Sequence, residues 1–399
     1  MKAPVGGLVS KLPDVGTTIF SVMSKLASDH NAINLSQGFP DFEPPKGLLD
    51  ALQRRLSQGG YHQYPPMHGI ADLRYQIAEK VRRHYHVAVD PELDVTVTSG
   101  ATEALFVAIQ AVVRPLDEVI LFDPAYDAYD PAVRLAGGIP VHLGLKAPGF
   151  TIDLARLRAM ITPKTRLLVI NSPHNPCGSL IDVETLKAIG QLAEEFELYV
   201  LSDEVYEHMV FDNARHISAL EVPALRDRSF VVSSFGKTYH ATGWKVAYCV
   251  APDALTREFR KVHQFVTFTT HTPSQWAIAD FMSADQGHVA GLSAFYQAKR
   301  DQLLELFECL GFKMTPSPGT YFQLADYSGV AALAHLSDTD CAVALTKHYG
   351  VAAIPVSVFY EAPPASSRLL RFCFAKSDEA LIEAARRLAS GLGPTGTAP

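Results

Sequence analysis

Lys237 is the residue of this sequence whose position points most directly to chemistry. It follows the apolar run Phe230–Val232 and the small residues Ser233 and Ser234, so it should come just after a short buried strand. A lysine in such a turn is either an ordinary solvated side chain or an amine that attacks a carbonyl, which requires its unprotonated form. This stretch alone leaves both interpretations open.

Two better-known motifs match this stretch only in part. Ser234-Phe-Gly-Lys237 fits the Ser-x-x-Lys of penicillin-binding enzymes, but the Ser-Asp-Asn and Lys-Thr-Gly partners of that motif are missing from the sequence. Gly236-Lys237-Thr238 imitates the end of a P-loop, but Val231 stands where the first glycine belongs. The sequence therefore disfavours a serine hydrolase and a nucleotide-binding loop.

The elements that must position Lys237 alternate regularly between residues 94 and 250. Apolar strands are predicted near residues 94–98, 118–122, 139–143, 166–170, 198–201 and 246–250, with helices at Glu103–Val113 and Val183–Phe196. Strands that are apolar throughout and alternate with helices predict a mostly parallel sheet covered on both faces. Ligands of such sheets bind beyond the carboxyl ends of the strands.

Each of these strand ends carries a chemically useful group. The turn into the helix at Ala101 and Thr102 suits a phosphate, because backbone amides are free at a helix N-terminus. Tyr126 offers an aromatic face, and Asp203 and Tyr206 offer a carboxylate and a phenol three residues apart. An aromatic plate, a phosphate cradle, a carboxylate, a phenol and an amine together fit pyridoxal phosphate.

The chain resembles the class I/II, fold-type I aminotransferases that depend on pyridoxal phosphate, in the branch of methionine and kynurenine (glutamine) aminotransferases. The resemblance extends from Gly38 to Arg371, and its motifs are Asn171-Ser-Pro-His-Asn-Pro-Cys-Gly178, Asp203-Glu-Val-Tyr206 and Ser233-Ser-Phe-Gly-Lys-Thr-x-x-x-x-Gly-Trp-Lys245. It implies an α/β fold: a large domain with a mostly parallel seven-stranded sheet between helices, and a smaller α+β domain. We expect an N-terminal arm (1–44) belonging to the small domain, a large cofactor domain (45–287) and a C-terminal small domain (288–399).

The resemblance also implies a role for each site residue. Lys237 would bind the cofactor covalently, Asp203 would pair with its pyridine nitrogen, and Tyr206 would bond its phenolic oxygen. The remaining assignments are cofactor contacts by Asn175 and Tyr126, phosphate contacts by Ala101, Thr102, Ser234 and Lys245, a phosphate contact by Tyr64 from a neighbouring subunit, and substrate contacts by Gly38, Asn175, Arg371 and Phe268. Taken singly, each of these residues could also have an ordinary structural role. Asp203 could cap the end of a strand, and Arg371 could be a surface residue on an edge strand.

One position departs from the family pattern. Cys177 stands where the family usually has Ser or Thr before the final glycine of Asn-Pro-x-Gly. We expect little effect on cofactor binding, because nearby backbone should do the positioning.

The expected activity is transamination by a ping-pong mechanism, with methionine and aromatic amino acids as donors and a 2-oxo acid as acceptor. Aspartate should be a poor donor, because the segment Val262–Gln275, which should border the side-chain pocket, contains no arginine or lysine. Phe268 and His271 are its pocket candidates, with Tyr61 and the pair Ile19–Phe20 on the other side. A β-lyase acting on cysteine S-conjugates or cystathionine, and a non-enzymatic sensor that binds the cofactor, remain alternatives.

Composition limits the partners and the surroundings. A net charge of −7 without long runs argues against nucleic acid and anionic membranes, and no apolar run approaches a membrane span. The five cysteines form no Cys-x-x-Cys pair, so we expect buried free thiols in a reducing cytoplasm and no metal site. The C-terminal part should contain a long helix at Val289–Leu310 and strands at Tyr321–Leu324, Val351–Ile354 and Leu369–Phe374.

Overall fold

A computed structural model describes residues 7, 9–284, 287–365 and 367–392. The helices are α1 (Ile19–Asp29), α2 (Lys46–Ser57), α3 (Ala71–Tyr85), α4 (Ala101–Val112), α5 (Tyr129–Leu135), α6 (Leu154–Met160), α7 (Val183–Glu195), α8 (Pro223–Arg226), α9 (Phe235–Thr238), α10 (Asp253–Val266), α11 (Thr272–Ala284), α12 (Gly287–Phe307), α13 (Asp338–His348) and α14 (Asp378–Leu392). The strands are β1 (Ile33–Asn34), β2 (Val95–Thr98), β3 (Glu118–Asp123), β4 (Ile139–Gly144), β5 (Thr165–Asn171), β6 (Tyr199–Asp203), β7 (Ser229–Ser234), β8 (Ala247–Val250), β9 (Phe322–Asp326), β10 (Val351–Ala352), β11 (Ile354–Pro355) and β12 (Leu369–Cys373).

Seven strands form the central sheet, in the order β2-β8-β7-β6-β5-β3-β4. Neighbouring strands run parallel except β8, which is antiparallel to both β2 and β7. The predicted mostly parallel, seven-stranded sheet is therefore confirmed. Its parallel strands β5, β6 and β7 end side by side, and these ends carry Asn171, Asp203 and Ser234.

The two faces of the sheet pack into two separate apolar cores. Along β3, Val119 and Leu121 belong to one core, while Ile120 and Phe122 belong to the other. Because successive side chains of a strand point to opposite faces, a strand covered on both sides must be apolar at every position. This explains the unbroken apolar runs of the sequence.

The N-terminal segment lies against the C-terminal part of the chain. Strand β1 pairs in parallel with β10, with Ile33 opposite Val351, and the backbone N–H of Cys373 donates to the carbonyl of Leu35. A three-stranded antiparallel sheet, β11-β12-β9, has Arg371 opposite Leu324 in its central strand. These pairings join the segment before residue 45 to the C-terminal part, while the domain boundaries stay a prediction.

Several local expectations differ from the structure. Lys237 lies in the one-turn helix α9 rather than in an open turn, and the strand predicted at Val351–Ile354 is divided between two sheets, because β10 pairs with β1 while β11 pairs with β12. Helix α10 was not predicted, although Leu255, Phe259 and Val262 recur at helical spacing in the sequence. None of the described helices is long and apolar enough to cross a membrane.

Candidate active site

A cavity of about 280 Å³ opens where β5, β6 and β7 end and helix α4 begins. It brings together residues that are far apart in the sequence, from the N-terminal segment to β12. The predicted site residues that line it are Gly38, Ala101, Thr102, Tyr126, Asn175, Asp203, Tyr206, Ser234, Lys237, Lys245 and Arg371. The sequence-based expectation that these side chains meet at one edge of the sheet agrees with this geometry.

The N-terminus of α4 forms an anion-binding corner of the cavity. Gly100 caps the helix with a φ of +86°, a backbone conformation that favours glycine, and Ala101 and Thr102 follow with amides that precede the first helical hydrogen bond. A Cβ built at Gly100 would lie 3.0 Å from Lys245 Nζ, so this ammonium is close to the helix start. Together, the helix dipole and Lys245 favour a phosphate here.

Lys237 borders the cavity at the end of β7. Its Nζ donates to the phenol oxygen of Tyr321 at 2.9 Å and to the carbonyl of Gly38 at 3.2 Å. Burial lowers the pKa of the Lys237 amine to about 8, although Asp203 opposes this effect. About a tenth of the amine is therefore unprotonated at pH 7, far more than for an ordinary lysine, and the unprotonated form is what a nucleophile or a general base requires.

Asp203 ends β6 and is buried beneath the cavity. Its carboxylate accepts a hydrogen bond from the phenol of Tyr129 at 2.6 Å and a longer one from the backbone N–H of Val205 at 3.3 Å. Burial raises the pKa of Asp203 to about 6, and the bond from Tyr129 opposes that rise. A carboxylate held in this way would be stabilised by a cation placed in the cavity.

Aromatic rings line the cavity around Asp203. Tyr126 packs edge-to-face on Tyr129, with ring centroids 5.7 Å apart, and Tyr206 packs in the same manner on Tyr321 at 5.1 Å. Burial raises the pKa of the Tyr206 and Tyr126 phenols, so both are neutral hydrogen-bond donors at physiological pH.

Arg371 faces the cavity from the central strand β12 and is only 1% exposed. Its Nη1 donates to Asn175 Oδ1 at 2.8 Å and its Nη2 to the carbonyl of Ser36 at 3.0 Å, while the guanidinium stacks over the Phe322 ring at 3.9 Å. Its Nε is buried and has no hydrogen-bond partner among the described residues. A buried guanidinium that lacks a carboxylate partner is suited to an anionic ligand. The alternative of a surface arginine on an edge strand is excluded.

Some predicted pocket residues lie outside the cavity of this chain. Tyr64 and Phe268 pack edge-to-face at 5.3 Å and are 82% and 46% exposed. Tyr61 contacts Arg55, and His271 Nδ1 lies 2.8 Å from Ser274 Oγ. Of the residues expected on the opposite wall, Phe20 lines the cavity.

Tyr129, Tyr321 and Phe322 contact the site but were not predicted from the sequence. Tyr129 begins α5 three residues after Tyr126, and its backbone N–H donates to the Tyr126 carbonyl across the intervening turn, so nearness in the sequence offered a signal for it. Phe322 begins β9 and Tyr321 directly precedes it, and nothing in the local sequence indicates that they approach Lys237 or Arg371.

The residues present fit pyridoxal phosphate. The amine of Lys237 can bind its aldehyde, the start of α4 with Lys245 can hold its phosphate, and the buried carboxylate of Asp203 can pair with its pyridine nitrogen. The site thus has the donor set of an enzyme that works with pyridoxal phosphate and binds a carboxylate substrate at Arg371.

Comparison with known proteins agrees with this class. The family model for aminotransferases of class I and II matches residues 30–388. The methionine aminotransferase of Escherichia coli is 48% identical, covering 95% of this chain and 97% of its own, and its crystal structure superposes with a TM-score of 0.92. A probable N-succinyldiaminopimelate aminotransferase of Mycobacterium tuberculosis is 41% identical over 95% and 97% of the two chains, and its structure also gives a TM-score of 0.92. Human kynurenine–oxoglutarate transaminase 1 is 34% identical, covering 90% and 92%.

The chain therefore belongs to the class I and II aminotransferase family. It is an aminotransferase, its cofactor is pyridoxal 5′-phosphate, and its substrates are amino acids and oxo acids. The similar proteins named above are all aminotransferases, and they give no support to the β-lyase, sensor or hydrolase alternatives.

Proposed function

We propose that this aminotransferase moves the α-amino group of methionine and of aromatic or other apolar amino acids to a 2-oxo acid by a ping-pong mechanism. The observation that carries the proposal is the pairing of Lys237 and Arg371 in one cavity beside the anion-binding start of α4. The 48% identity to the Escherichia coli methionine aminotransferase supports methionine as a donor.

Each end of the amino acid has a separate binding group in this proposal. Arg371 binds the α-carboxylate, since a planar guanidinium can form two parallel hydrogen bonds with it, and Asn175 keeps the guanidinium oriented. The backbone of Gly38 borders the same space. With the carboxylate held there, Cα lies in the cavity beside Lys237, and the amine of Lys237 removes the Cα proton and later returns a proton to the cofactor.

When bound, pyridoxal phosphate supplies an electron sink for the electron pair left at Cα. Asp203 supports that role because its buried carboxylate favours a protonated pyridine nitrogen. Tyr206 and Asn175 would contact the phenolic oxygen, Tyr126 would lie against the ring, and Ala101, Thr102, Ser234 and Lys245 would hold the phosphate, since all of them line the cavity.

The expected preference for substrates with an apolar side chain follows from the small number of basic residues in the cavity. Within the described chain, the basic residues of the cavity are Lys237, Lys245 and Arg371, and each already has a role in the proposal. Phe20 and Phe322 are apolar wall residues near Arg371. A second carboxylate on the substrate would meet no free cation of this chain, and its unpaired desolvation costs several kcal/mol.

A homodimer completes the site in this proposal. Tyr64 and Phe268 are exposed and lie outside their own chain's cavity, as expected of residues that serve the site of a neighbouring subunit. Tyr64 would reach the neighbour's phosphate, and Phe268 would border its side-chain pocket. A cytoplasmic location agrees with the buried free thiols of Cys177, Cys249, Cys341 and Cys373. Cys309, in the turn after α12, is exposed, unlike the expectation of buried cysteines.

The test is kcat/KM for methionine, phenylalanine, glutamine, kynurenine and aspartate with one fixed oxo-acid acceptor. We expect methionine and the aromatic donors to lead, aspartate to be poor, and no ammonia to be released. Lys237→Ala should abolish turnover, while Lys146→Ala, at an exposed position, should not change it. Aspartate ranking first would overturn the apolar-pocket argument, and stoichiometric ammonia would indicate a lyase.

A further inference from the structure

Tyr321 is a fully buried tyrosine that reaches the reactive lysine from the C-terminal part of the chain. Its hydroxyl donates to the carbonyl of Gly38 at 2.5 Å and accepts a hydrogen bond from Lys237 Nζ at 2.9 Å. Lys237 Nζ also donates to the same carbonyl at 3.2 Å. The phenol, the amine and the carbonyl thus form a closed triangle.

The direction of these bonds follows from the chemistry of the phenol. Tyr321 has one hydroxyl proton, and the short contact to Gly38, whose carbonyl can only accept, uses it. A lone pair of the phenol oxygen is then left for an N–H of Lys237. The amine is therefore restricted in orientation, although its four-carbon stem would otherwise have many rotamers.

The backbone around Tyr321 is held firmly enough to position the phenol. Thr320, just before it, has a φ of +68°, and its N–H donates to the carbonyl of Met209 while its Oγ1 accepts from the N–H of Phe322. A Cβ at Gly319 would lie 2.8 Å from Pro173 Cβ, so this turn packs against the loop after β5. Tyr321 is thus anchored to the loops that follow β5 and β6.

Gly38 is held on the other side of the phenol. A Cβ at Gly38 would lie 2.8 Å from Phe322 Cζ, so a larger residue here would crowd the Phe322 ring next to Tyr321. The neighbouring Ser36 carbonyl accepts from Arg371. One N-terminal segment therefore contacts both the substrate-binding guanidinium and, through Tyr321, the lysine.

We propose that Tyr321 is a positioning residue for Lys237: with its hydroxyl bonded to Gly38, it gives the free amine one fixed place beside the cavity between proton transfers. The role in proton transfer rests on the proposed function. Losing one such hydrogen bond should reduce the proton-transfer rate by about three- to tenfold.

Tyr321→Phe removes the hydroxyl and keeps the ring, and Tyr296→Phe is the matched control. Tyr296 is also fully buried, its ring lies 5.8 Å from that of Tyr321, and its hydroxyl has no hydrogen-bond partner in the described chain. Both variants remove one oxygen from neighbouring buried rings, so a general effect of deleting a buried hydroxyl would appear in both.

The first measurement uses the full-length protein freed of cofactor and follows the rate of covalent pyridoxal phosphate attachment from pH 6 to 10. Burial already lowers the pKa of Lys237 to about 8. The Tyr321 oxygen accepts a hydrogen bond from Nζ at 2.9 Å, and an acceptor at that distance favours the ammonium form. The attachment rate should rise with pH as the amine loses its proton, and the midpoint of that rise reports the pKa of Lys237. In Tyr321→Phe we expect this midpoint to move to lower pH by about half a unit. An unchanged midpoint, or an equal shift in Tyr296→Phe, would overturn the proposal.

The second measurement is a single turnover of the holoenzyme with methionine that carries hydrogen or deuterium at Cα. Tyr321→Phe should slow the turnover about three- to tenfold and increase the isotope effect, with little change in methionine affinity. A loss of affinity or thermal stability without a slower proton transfer would indicate a merely structural residue and count against the role. If the unaltered chain failed with every amino acid, the proposed function would fall, while the attachment midpoint would still decide on Tyr321.

Discussion

Asp203 and Lys237 are two buried ionisable groups whose pKa values move towards each other, to about 6 and about 8. Burial causes both shifts because it disfavours the charged form of each group. In the proposed function the two shifts serve different steps: the lowered pKa would make Lys237 available as a base, and the buried Asp203 carboxylate would be stabilised by a positive partner. A protonated pyridine nitrogen would be such a partner.

The raised pKa of Asp203 predicts how the cofactor-free protein responds to pH. Between pH 4 and 6 the unfolded chain has released this proton while the folded chain still holds it, so stability should fall as pH rises. A rise of the pKa from 3.8 to about 6 corresponds to at most about 3 kcal/mol at neutral pH.

Asp203→Asn removes this ionisation and should be the more stable protein at pH 7, with the difference disappearing near pH 4. Urea unfolding of the unaltered and the Asp203→Asn proteins, both without cofactor and at several pH values, measures this difference in the free energy of unfolding. A parallel pH dependence of the two proteins would contradict the raised pKa. The holoenzyme should show the opposite ranking in turnover, because Asn cannot favour a protonated pyridine nitrogen.

At the scale of elements, the turn after β5 connects the site to the C-terminal part of the chain. The Asn171 amide donates to the Asp203 carbonyl, and its oxygen accepts from the backbone N–H of Asn175. Cys177 is buried and faces a different cavity, near Ser317, rather than the cofactor cavity. The expectation that Cys177 has little effect on cofactor binding therefore stays a prediction with structural support.

Gly178 closes this turn and predicts a local sensitivity. Its φ is +75°, and a Cβ there would lie 1.8 Å from Ser317 Oγ and 2.8 Å from the Gly319 carbonyl. Gly178→Ala should destabilise the protein by about 2–4 kcal/mol, because the backbone conformation and the packing both oppose it. Gly149→Ala is the control, since its Cβ would make only an ordinary contact with Thr151 at 3.6 Å. Equal urea midpoints for the two variants would contradict the expected crowding.

At the scale of the whole molecule, an exposed aromatic group suggests a surface that another subunit covers. Phe265 is 86% exposed and Tyr64 82%, and Phe268 packs on Tyr64. Large exposed aromatic side chains that lie together are typical of interfaces.

Mixing Lys237→Ala with Tyr64→Ala protein tests whether the site is shared. If Tyr64 serves the neighbouring site, a hybrid dimer contains one intact site, and random exchange should restore about a quarter of the parent activity. If Tyr64 serves its own chain, no hybrid site is intact. Activity that stays absent after verified subunit exchange would contradict the shared site.

Much of the fold was predictable because its signals are local. The apolar runs of β5, β6 and β7 and the polar residues that end them indicated a covered parallel sheet and the edge at which a ligand binds. The order and spacing of the sequence motifs also predicted the cofactor, pyridoxal phosphate. Less could be predicted where one apolar run is divided between two sheets, as in β10 and β11, because only the tertiary packing decides which strand each half pairs with.

The sequence by itself thus determined the class of sheet, and it predicted a reactive lysine and the chemical groups around it. Only the tertiary structure decided that Tyr129 donates to Asp203, that Ser36 and Asn175 hold Arg371, and that Tyr321 connects Gly38 to Lys237. These contacts join residues between 74 and 335 positions apart. Strand periodicity and helix caps act within a few residues, whereas such long-range pairs depend on how separately formed sheets and loops pack together.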